Sequence, residues 1–183
     1  MRVITGVAKG RRLITLEGAD VVRPTSEKVK EAIFSAIQFD IEGRRVLDLF
    51  GGSGQLGIEA LSRGAQSAVF VDASRDAVKV IKQNLASTGL NSVAEVFNCD
   101  YSSFLARCTK SFDIIFLDPP YKSGVLVDAL EKSVKVLSDF GTVFCEHPIN
   151  SDLPENVGAC SVKKTYKFGS IAVTMYKKDI NNE

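Results

Sequence analysis

Residues 46–65 read "VLDLFGGSGQLGIEALSRGA", and this stretch decides the fold. A short apolar run comes first, a glycine-rich loop follows, and an amphipathic segment ends at Gly64. Glycines allow a tight turn and let a ligand approach the backbone N–H groups, and glycine is common just past a helix C-terminus. The stretch therefore predicts a β-strand, a ligand-binding loop and an α-helix.

The same alternation continues along the chain. Strands are predicted at "SAVFVD", "AEVFNCD", "FDIIFLD" and "GTVFCEHP", and helices at "SRDAVKVIKQNLAS" and over residues 124–137. Continuous apolar strands between amphipathic helices indicate a parallel sheet that is covered on both faces. "SVKKTYKFG" and "SIAVTMYKK" then meet at Gly169-Ser170, which predicts an antiparallel hairpin. We expect an α/β fold, mostly parallel, with this hairpin at its C-terminal end.

The N-terminal region has a different character. In "RVITGVAKGRRLITL", residues 2–16, β-branched segments lie on either side of a basic stretch between two glycines, which predicts a β-hairpin. "RPTSEKVKEAIFSAI" follows and predicts a helix whose cap is Pro24-Thr25-Ser26. We therefore divide the chain into a basic hairpin extension, residues 1–22, and a main domain, residues 23–183.

Composition narrows the class of protein. Hydrophobic residues make up 45% of the chain and charged residues 25%, as in globular proteins. No apolar run approaches the roughly 20 residues that span a bilayer, and no signal-type stretch follows Met1, so we expect a cytoplasmic protein without a membrane partner. The four cysteines form no C-x-x-C pair and His147 is the sole histidine, so we expect no metal site. No surplus apolar segment demands a partner subunit, and we expect a monomer.

Charge is unevenly distributed. Residues 1–30 hold seven Lys or Arg and three Asp or Glu, and residues 161–183 hold five and two. The intervening residues 31–160 hold eleven and seventeen. Basic ends around an acidic centre indicate either a polyanionic partner or a set of solvated lysines. Lys9, Arg11 and Arg12 in the predicted hairpin are the candidates for contacts with RNA phosphates.

Several predicted strands end at an acid, and such ends share one edge of a parallel sheet. The acids are Asp48, Asp72, Asp100, Asp118 and Glu146. Gly52-x-Gly54-x-x-Gly57 matches the dinucleotide-binding pattern, in which Asp72 would bind a ribose. A nicotinamide-dependent oxidoreductase is therefore one hypothesis.

Two features favour S-adenosylmethionine instead. The Asp48 carboxylate would repel a pyrophosphate but can hold an ammonium group, and the chain has no room for a substrate domain after the sheet. In this interpretation Asp72 binds the ribose hydroxyls and Asp100 accepts from the adenine amine. The loop that passes the methionine and the sugar consists of Phe50, Gly51, Gly52, Ser53 and Gly54.

"FDIIFLDPPY", residues 112–121, ends a predicted strand with an unusual group. Each proline restricts its own φ and keeps the preceding residue extended, and neither proline donates an N–H. Asp118, Pro119, Pro120 and Tyr121 should therefore form a rigid ridge of oxygen acceptors followed by a flat ring. Such a ridge suits a planar group that carries N–H donors.

These motifs together resemble those of the Rossmann-fold methyltransferases. The order of "RVITGVAKGRRL", "RPTSEKVKEAIFSAI", the glycine loop, "VFVD", "NCD" and "FDIIFLDPPY" is similar to that of the bacterial 16S ribosomal RNA guanine-N2 methyltransferases (RsmD-like). The resemblance implies a seven-stranded sheet, S-adenosylmethionine as the methyl donor, and transfer to the N2 amine of a guanine, position 966, in 16S ribosomal RNA or the small subunit. It also implies that Arg23 and Thr25 close over the cofactor.

Two further hypotheses stay open at this stage. Related acid–proline–proline–tyrosine ridges serve adenine-N6 as well as guanine-N2 transfer, and DNA as well as RNA. A non-catalytic RNA-binding assembly protein that keeps a vestigial cofactor pocket is the alternative from another class.

Overall fold

The computed structural model describes residues 1–16 and 27–178. Within them the chain forms five α-helices and one sheet of eight strands. The strands are β1 Arg45–Asp48, β2 Ser67–Asp72, β3 Ala94–Asn98, β4 Phe112–Leu117, β5 Leu137–Pro148, β6 Asn156–Val157, β7 Cys160–Phe168 and β8 Ile171–Lys178. The helices are α1 Glu27–Ala36, α2 Gln55–Ser62, α3 Arg75–Thr88, α4 Tyr101–Arg107 and α5 Leu126–Ser133.

The sheet has the order β3-β2-β1-β4-β5-β8-β7-β6. Strands β1 to β5 pair in parallel, whereas β8 pairs antiparallel with β5 and with β7. The predicted fold class is therefore confirmed. The described sheet has eight strands rather than seven, because the two-residue strand β6 pairs with β7 at the edge.

Strand β1 lies at the point where the order of the strands reverses: β2 and β3 follow on one side of it, and β4 and β5 on the other. Its neighbours are β2 on one side and β4 on the other, and Asp48 lies opposite Phe70 and Phe116. Ligands of open α/β sheets bind at such a switch point, beyond the carboxyl ends of the strands. The topology therefore brings the loop after β1 and the ridge after β4 to the same edge.

Apolar side chains fill both faces of the sheet. One core includes Phe34 of α1, Phe70 of β2 and Phe116 of β4, and the Phe34 and Phe116 ring centroids lie 5.7 Å apart. The opposite core packs around Leu47 and Ile115. Burial on both faces explains why the central strands are continuously apolar rather than alternating.

One helix and one strand differ from their predicted bounds. The helix expected over residues 124–137 is α5 followed by a 3₁₀ turn at Val134–Val136, and β5 starts at Leu137 rather than Gly141. The register between β4 and β5 shifts after the Phe112–Leu137 pair, and Phe140 adopts a φ of 64° there. This bulge adds residues to β5 without lengthening its regular pairing with β4.

The N-terminal hairpin, residues 1–14, is less regular than expected. It has one antiparallel bridge, between Arg2 and Arg12, and does not extend the sheet. The Leu13 N–H donates to the Met1 carbonyl at 3.0 Å and closes the hairpin. The cap predicted at residues 24–26 and the domain boundary at residue 22 lie outside the described residues, so the two-part division stays a prediction.

Buried polar groups attach this hairpin to α2. The Glu59 carboxylate accepts the backbone N–H groups of Ile4 and Thr5 at 2.8 and 3.0 Å. Lys30 lies 3.4 Å from Glu59 and donates to the Arg2 carbonyl at 2.7 Å. Glu59 and Lys30 are both 0% exposed, and burial lowers the pKa of Lys30 while Glu59 opposes that shift. Such a pair is maintained because each charge compensates the other away from water.

No helix in the described ranges is long and apolar enough to cross a membrane.

Changing Glu59 to Gln is expected to lower the free energy of unfolding by about 3 kcal/mol, because Lys30 is left buried without its counter-charge. Urea denaturation followed by circular dichroism measures this loss. Glu31→Gln, the same change at an exposed site on α1, is the control and should stay within about 0.5 kcal/mol of the parent. Equal urea midpoints for the two variants would show that the buried pair of Lys30 and Glu59 adds nothing to the free energy of unfolding.

Candidate active site

The loop between β1 and α2 is held in shape by its own backbone and by the neighbouring strand. The Gly51 N–H donates to the Val71 carbonyl at 2.9 Å, and the Gly54 N–H donates to the Gly51 carbonyl at 2.6 Å. Gly54 has a φ of 79°, which favours glycine, and precedes the first residue of α2. The glycine loop, residues 50–54, is thus a tight turn over the end of β2.

Gly57 and Asp48 fix the start of α2 against the sheet. A Cβ on Gly57 would lie 2.3 Å from the Phe70 ring, so a side chain there would push the helix away. The Gly57 N–H donates to Asp48 Oδ2 at 3.0 Å. Burial raises the pKa of Asp48 to about 7, the Gly57 hydrogen bond opposes this shift, and the nearby Asp72 adds to it. Asp48 therefore has a structural partner, and its contact with an ammonium group stays a prediction.

Asp72 lies at the end of β2, beside the glycine loop. Its Oδ2 accepts the Gly52 N–H at 2.9 Å and its Oδ1 accepts the Ser74 N–H at 2.8 Å. A carboxylate has about four acceptor positions, so these two hydrogen bonds orient Asp72 without using all of its acceptor positions. The structure thus brings Asp72 to the loop, as expected, while its ribose contact stays a prediction.

Asp100 is the N-cap of α4, where its Oδ1 accepts the Ser103 N–H at 2.9 Å. This hydrogen bonding lowers the pKa of Asp100. The contact with adenine stays a prediction. Phe50 packs against Tyr101 of the same helix with ring centroids 5.4 Å apart, which joins the loop to the start of α4.

The ridge continues β4 into a 3₁₀ turn at Tyr121–Ser123. Pro119 is buried and Asp118 is half-buried. The Tyr121 hydroxyl donates to Glu146 Oε1 at 3.0 Å, and Glu146 is buried near the end of β5. Glu146 therefore anchors the ring of Tyr121 from the neighbouring strand.

A cavity adjoins this ridge, and a second lies next to the first. The smaller, of about 160 Å³, is lined by Pro119, Pro120, Tyr121 and Glu146 among others. The larger, of about 530 Å³, lies over β7 and β8 and shares His147 with the smaller one. The ridge thus borders the smaller cavity, and none of its four residues lines the larger one.

The sequence does not predict what three residues do at this site. Glu146 is one of the acids at the strand ends, but its contact with Tyr121 joins residues that are 25 positions apart. Gln55 opens α2, and its buried Oε1 lacks a hydrogen-bond partner among the described residues. Asn84 of α3 donates to the Ser53 carbonyl in the glycine loop at 2.8 Å. No local pattern signals the last two, because the burial of Gln55 and the contact of Asn84 both depend on how helices pack.

Arg23 and Thr25 lie outside the described residues. Lys9, Arg11 and Arg12 are exposed on the N-terminal hairpin, away from the protein interior. Among the residues that the structure describes, no group of three His, Cys, Asp or Glu side chains is placed to hold a metal ion.

Comparisons with known proteins agree with this architecture. The family described as conserved hypothetical protein 95 matches residues 1–177. The chain is 42% identical to YlbH of Bacillus subtilis, described as a candidate rRNA methyltransferase, over 97% of this chain and 99% of that protein. It is 31% identical to ribosomal RNA small subunit methyltransferase D of Escherichia coli K12, over 100% of this chain and 92% of that protein.

Among solved structures, the candidate methyltransferase yhhF of Escherichia coli superposes with a TM-score of 0.88 at 29% identity and 98% coverage of both chains. The family match spans nearly the whole chain, and the relatives match at nearly full length. The chain therefore belongs to the conserved hypothetical protein 95 family, together with the ribosomal RNA small subunit methyltransferase D proteins.

Proposed function

We propose that this protein transfers a methyl group from S-adenosylmethionine to the exocyclic N2 amine of a guanine in 16S ribosomal RNA, at position 966. The observation that carries the proposal is the position of the Asp118–Tyr121 ridge. It follows β4, which pairs directly with β1, so its acceptors lie at the same sheet edge as the glycine loop. The names of the relatives, which specify small-subunit ribosomal RNA, support the substrate class.

The described residues around the glycine loop suit such a cofactor. Asp72 offers oriented carboxylate oxygens for ribose hydroxyls, and Gln55 offers a buried acceptor that has no hydrogen-bond partner among the described residues. The Asp48 carboxyl, whose pKa burial raises to about 7, lies beneath the loop; a bound ammonium group would favour its charged form, whereas a pyrophosphate would oppose it. When bound, S-adenosylmethionine supplies an electrophilic methyl group on a sulfonium.

At the ridge, the protein orients the guanine N2 amine, which is a poor nucleophile. The lone pair of the guanine N2 amine is delocalised into the ring. The Asp118 carboxylate and the Pro119 carbonyl accept the two amine hydrogens, and these bonds strengthen as positive charge develops on the nitrogen. Tyr121, anchored by Glu146, stacks on the base and keeps its plane. Alignment of the reacting atoms supplies much of the acceleration, and the proton that the methylated amine loses passes to the Asp118 carboxylate or to water.

The substrate side is supported by surface shape and charge. The exposed Lys9, Arg11 and Arg12 can bind phosphates without reading sequence. The 160 Å³ cavity that Pro119, Pro120 and Tyr121 line lies at the ridge itself, where the target base would bind. We further propose that the protein acts as a cytoplasmic monomer on 16S ribosomal RNA or the small subunit.

Asp118→Ala is expected to lower the methyl-transfer rate by about 10²–10⁴-fold, because an acceptor at the reacting amine is lost. Cofactor affinity should stay within about twofold. The assay is transfer of labelled methyl groups to 16S ribosomal RNA from cells that lack the enzyme, with mass mapping of the product. Asp40→Ala, at an exposed position after α1, is the matched control. A fully active Asp118→Ala would remove the ridge from the mechanism, and a product other than N2-methylguanine would refute the proposed base.

Asp72→Ala should weaken S-adenosylhomocysteine binding by about 10- to 100-fold, because charged hydrogen bonds to the ribose contribute about 1.5–3 kcal/mol. Isothermal calorimetry measures the affinity. Asp76→Ala, exposed in the first turn of α3, serves as control and should bind normally. Unchanged affinity in Asp72→Ala would rule out its ribose contact.

Replacing Lys9, Arg11 and Arg12 together with Ala should weaken binding to 16S ribosomal RNA and reduce the slope of log K against log salt by about 2–3. The control replaces Arg75, Lys79 and Lys82 with Ala, which removes the same charge from an exposed face of α3. Fluorescence anisotropy at several salt concentrations gives both slopes. If the two triple variants lose RNA affinity and slope to the same extent, net charge rather than the hairpin governs binding.

A further inference from the structure

Asn84 lies in the middle of α3 and is 0% exposed. A buried amide needs hydrogen-bond partners, since an unsatisfied polar group costs stability. The partners of this amide are not side chains. They are backbone atoms of two segments that are distant in sequence, the end of the N-terminal hairpin and the glycine loop.

Three hydrogen bonds define the contact. Asn84 Oδ1 accepts the Ile14 N–H at 2.8 Å, and Nδ2 donates to the Ile14 carbonyl at 2.9 Å. The same Nδ2 donates to the Ser53 carbonyl at 2.8 Å. Both amide hydrogens and the carbonyl oxygen are therefore used, and this pattern is met by one orientation of the amide.

The Ile14 side chain plays little part in this contact, because it is 50% exposed. The hairpin is thus held at this point by its backbone. On the other side, the Ser53–Gly54 peptide is fixed twice, by Asn84 at its carbonyl and by the Gly51 carbonyl at its N–H. Without Asn84 this peptide would lose one of its two restraints next to a glycine, whose backbone rotates at little cost.

We infer that Asn84 is a positioning residue that couples the N-terminal hairpin to the glycine loop. When the hairpin is docked, Asn84 is aligned to hold Ser53, and the loop keeps the shape that binds the cofactor. The RNA part of this inference rests on the proposed function. If RNA binds the hairpin, RNA and cofactor should raise each other's affinity by the same factor.

In the part of the chain that the structure describes, the other side-chain hydrogen bonds of the hairpin go to α1 and α2 rather than to the loop, which provides a control. Ser62 of α2 accepts the Ala8 N–H at 3.0 Å and donates to the Thr5 carbonyl at 2.6 Å. Ser62→Ala therefore removes two hydrogen bonds of the hairpin and leaves the bonds of Asn84 to Ile14 and to the loop in place. Gln83→Ala, exposed on α3 next to Asn84, is the control for the helix itself.

The first measurement is the affinity for S-adenosylhomocysteine without RNA, by calorimetry on the full chain. Asn84→Ala should bind about tenfold more weakly, whereas Ser62→Ala and Gln83→Ala should stay within twofold of the parent. Ile14→Pro removes the N–H that Asn84 accepts, and Ile14→Ala keeps it. If Asn84→Ala fails to fold, a several-fold loss in Ile14→Pro but not in Ile14→Ala supports the coupling. Parental affinity in both Asn84→Ala and Ile14→Pro would overturn it.

The second measurement repeats the titration with saturating transcribed 16S ribosomal RNA. The parent should bind S-adenosylhomocysteine at least fivefold more tightly with RNA than without it, and Asn84→Ala should lose this enhancement. An equal enhancement in both proteins would overturn the inference. If the parent binds no RNA, the proposed function fails, and the RNA-free affinities still decide the role of Asn84.

Discussion

The buried Asp48 carboxylate and the lack of a side chain at Gly57 together hold the N-terminus of α2 against the sheet. Gly57 lets the helix approach the Phe70 ring, and its N–H donates to Asp48. Because the glycine loop leads directly into this helix, its position follows from that contact. The loop then meets Asp72 at the end of β2. The geometry of the whole candidate cofactor site depends on how closely one helix packs.

The ridge after β4 depends on a second strand in a similar way. Two prolines restrict the backbone, but they do not determine where the Tyr121 ring lies. Its hydroxyl donates to Glu146 on β5, so the parallel pairing of β4 and β5 orients the ring. The ring that follows the acceptors of the ridge is thereby held by a neighbouring strand, which is the preorganisation that the proposed methyl transfer requires.

The N-terminal hairpin is attached by polar groups rather than by a continued sheet. Glu59, Ser62 and Asn84 bind its backbone from α2 and α3, the two helices that flank the glycine loop. This arrangement leaves Lys9, Arg11 and Arg12 exposed while their backbone is held. The basic hairpin and the glycine loop are therefore both attached to the same two helices, α2 and α3.

Sequence alone determined the α/β class, the parallel direction of the central strands, the antiparallel end and the loop and ridge motifs. These features rest on local periodicity, on the geometry of glycine and proline and on resemblance to known methyltransferase motifs. Each of these can be read from short stretches of consecutive residues. The irregular hairpin, the two-residue strand β6 and the cap at Asp100 are local features, but their sequence patterns do not predict them. Tertiary structure decided the contacts of Glu59, Asn84 and Glu146, whose buried side chains join groups far apart in the chain through hydrogen bonds. Such contacts exist only once packing has excluded water, and no local pattern records them.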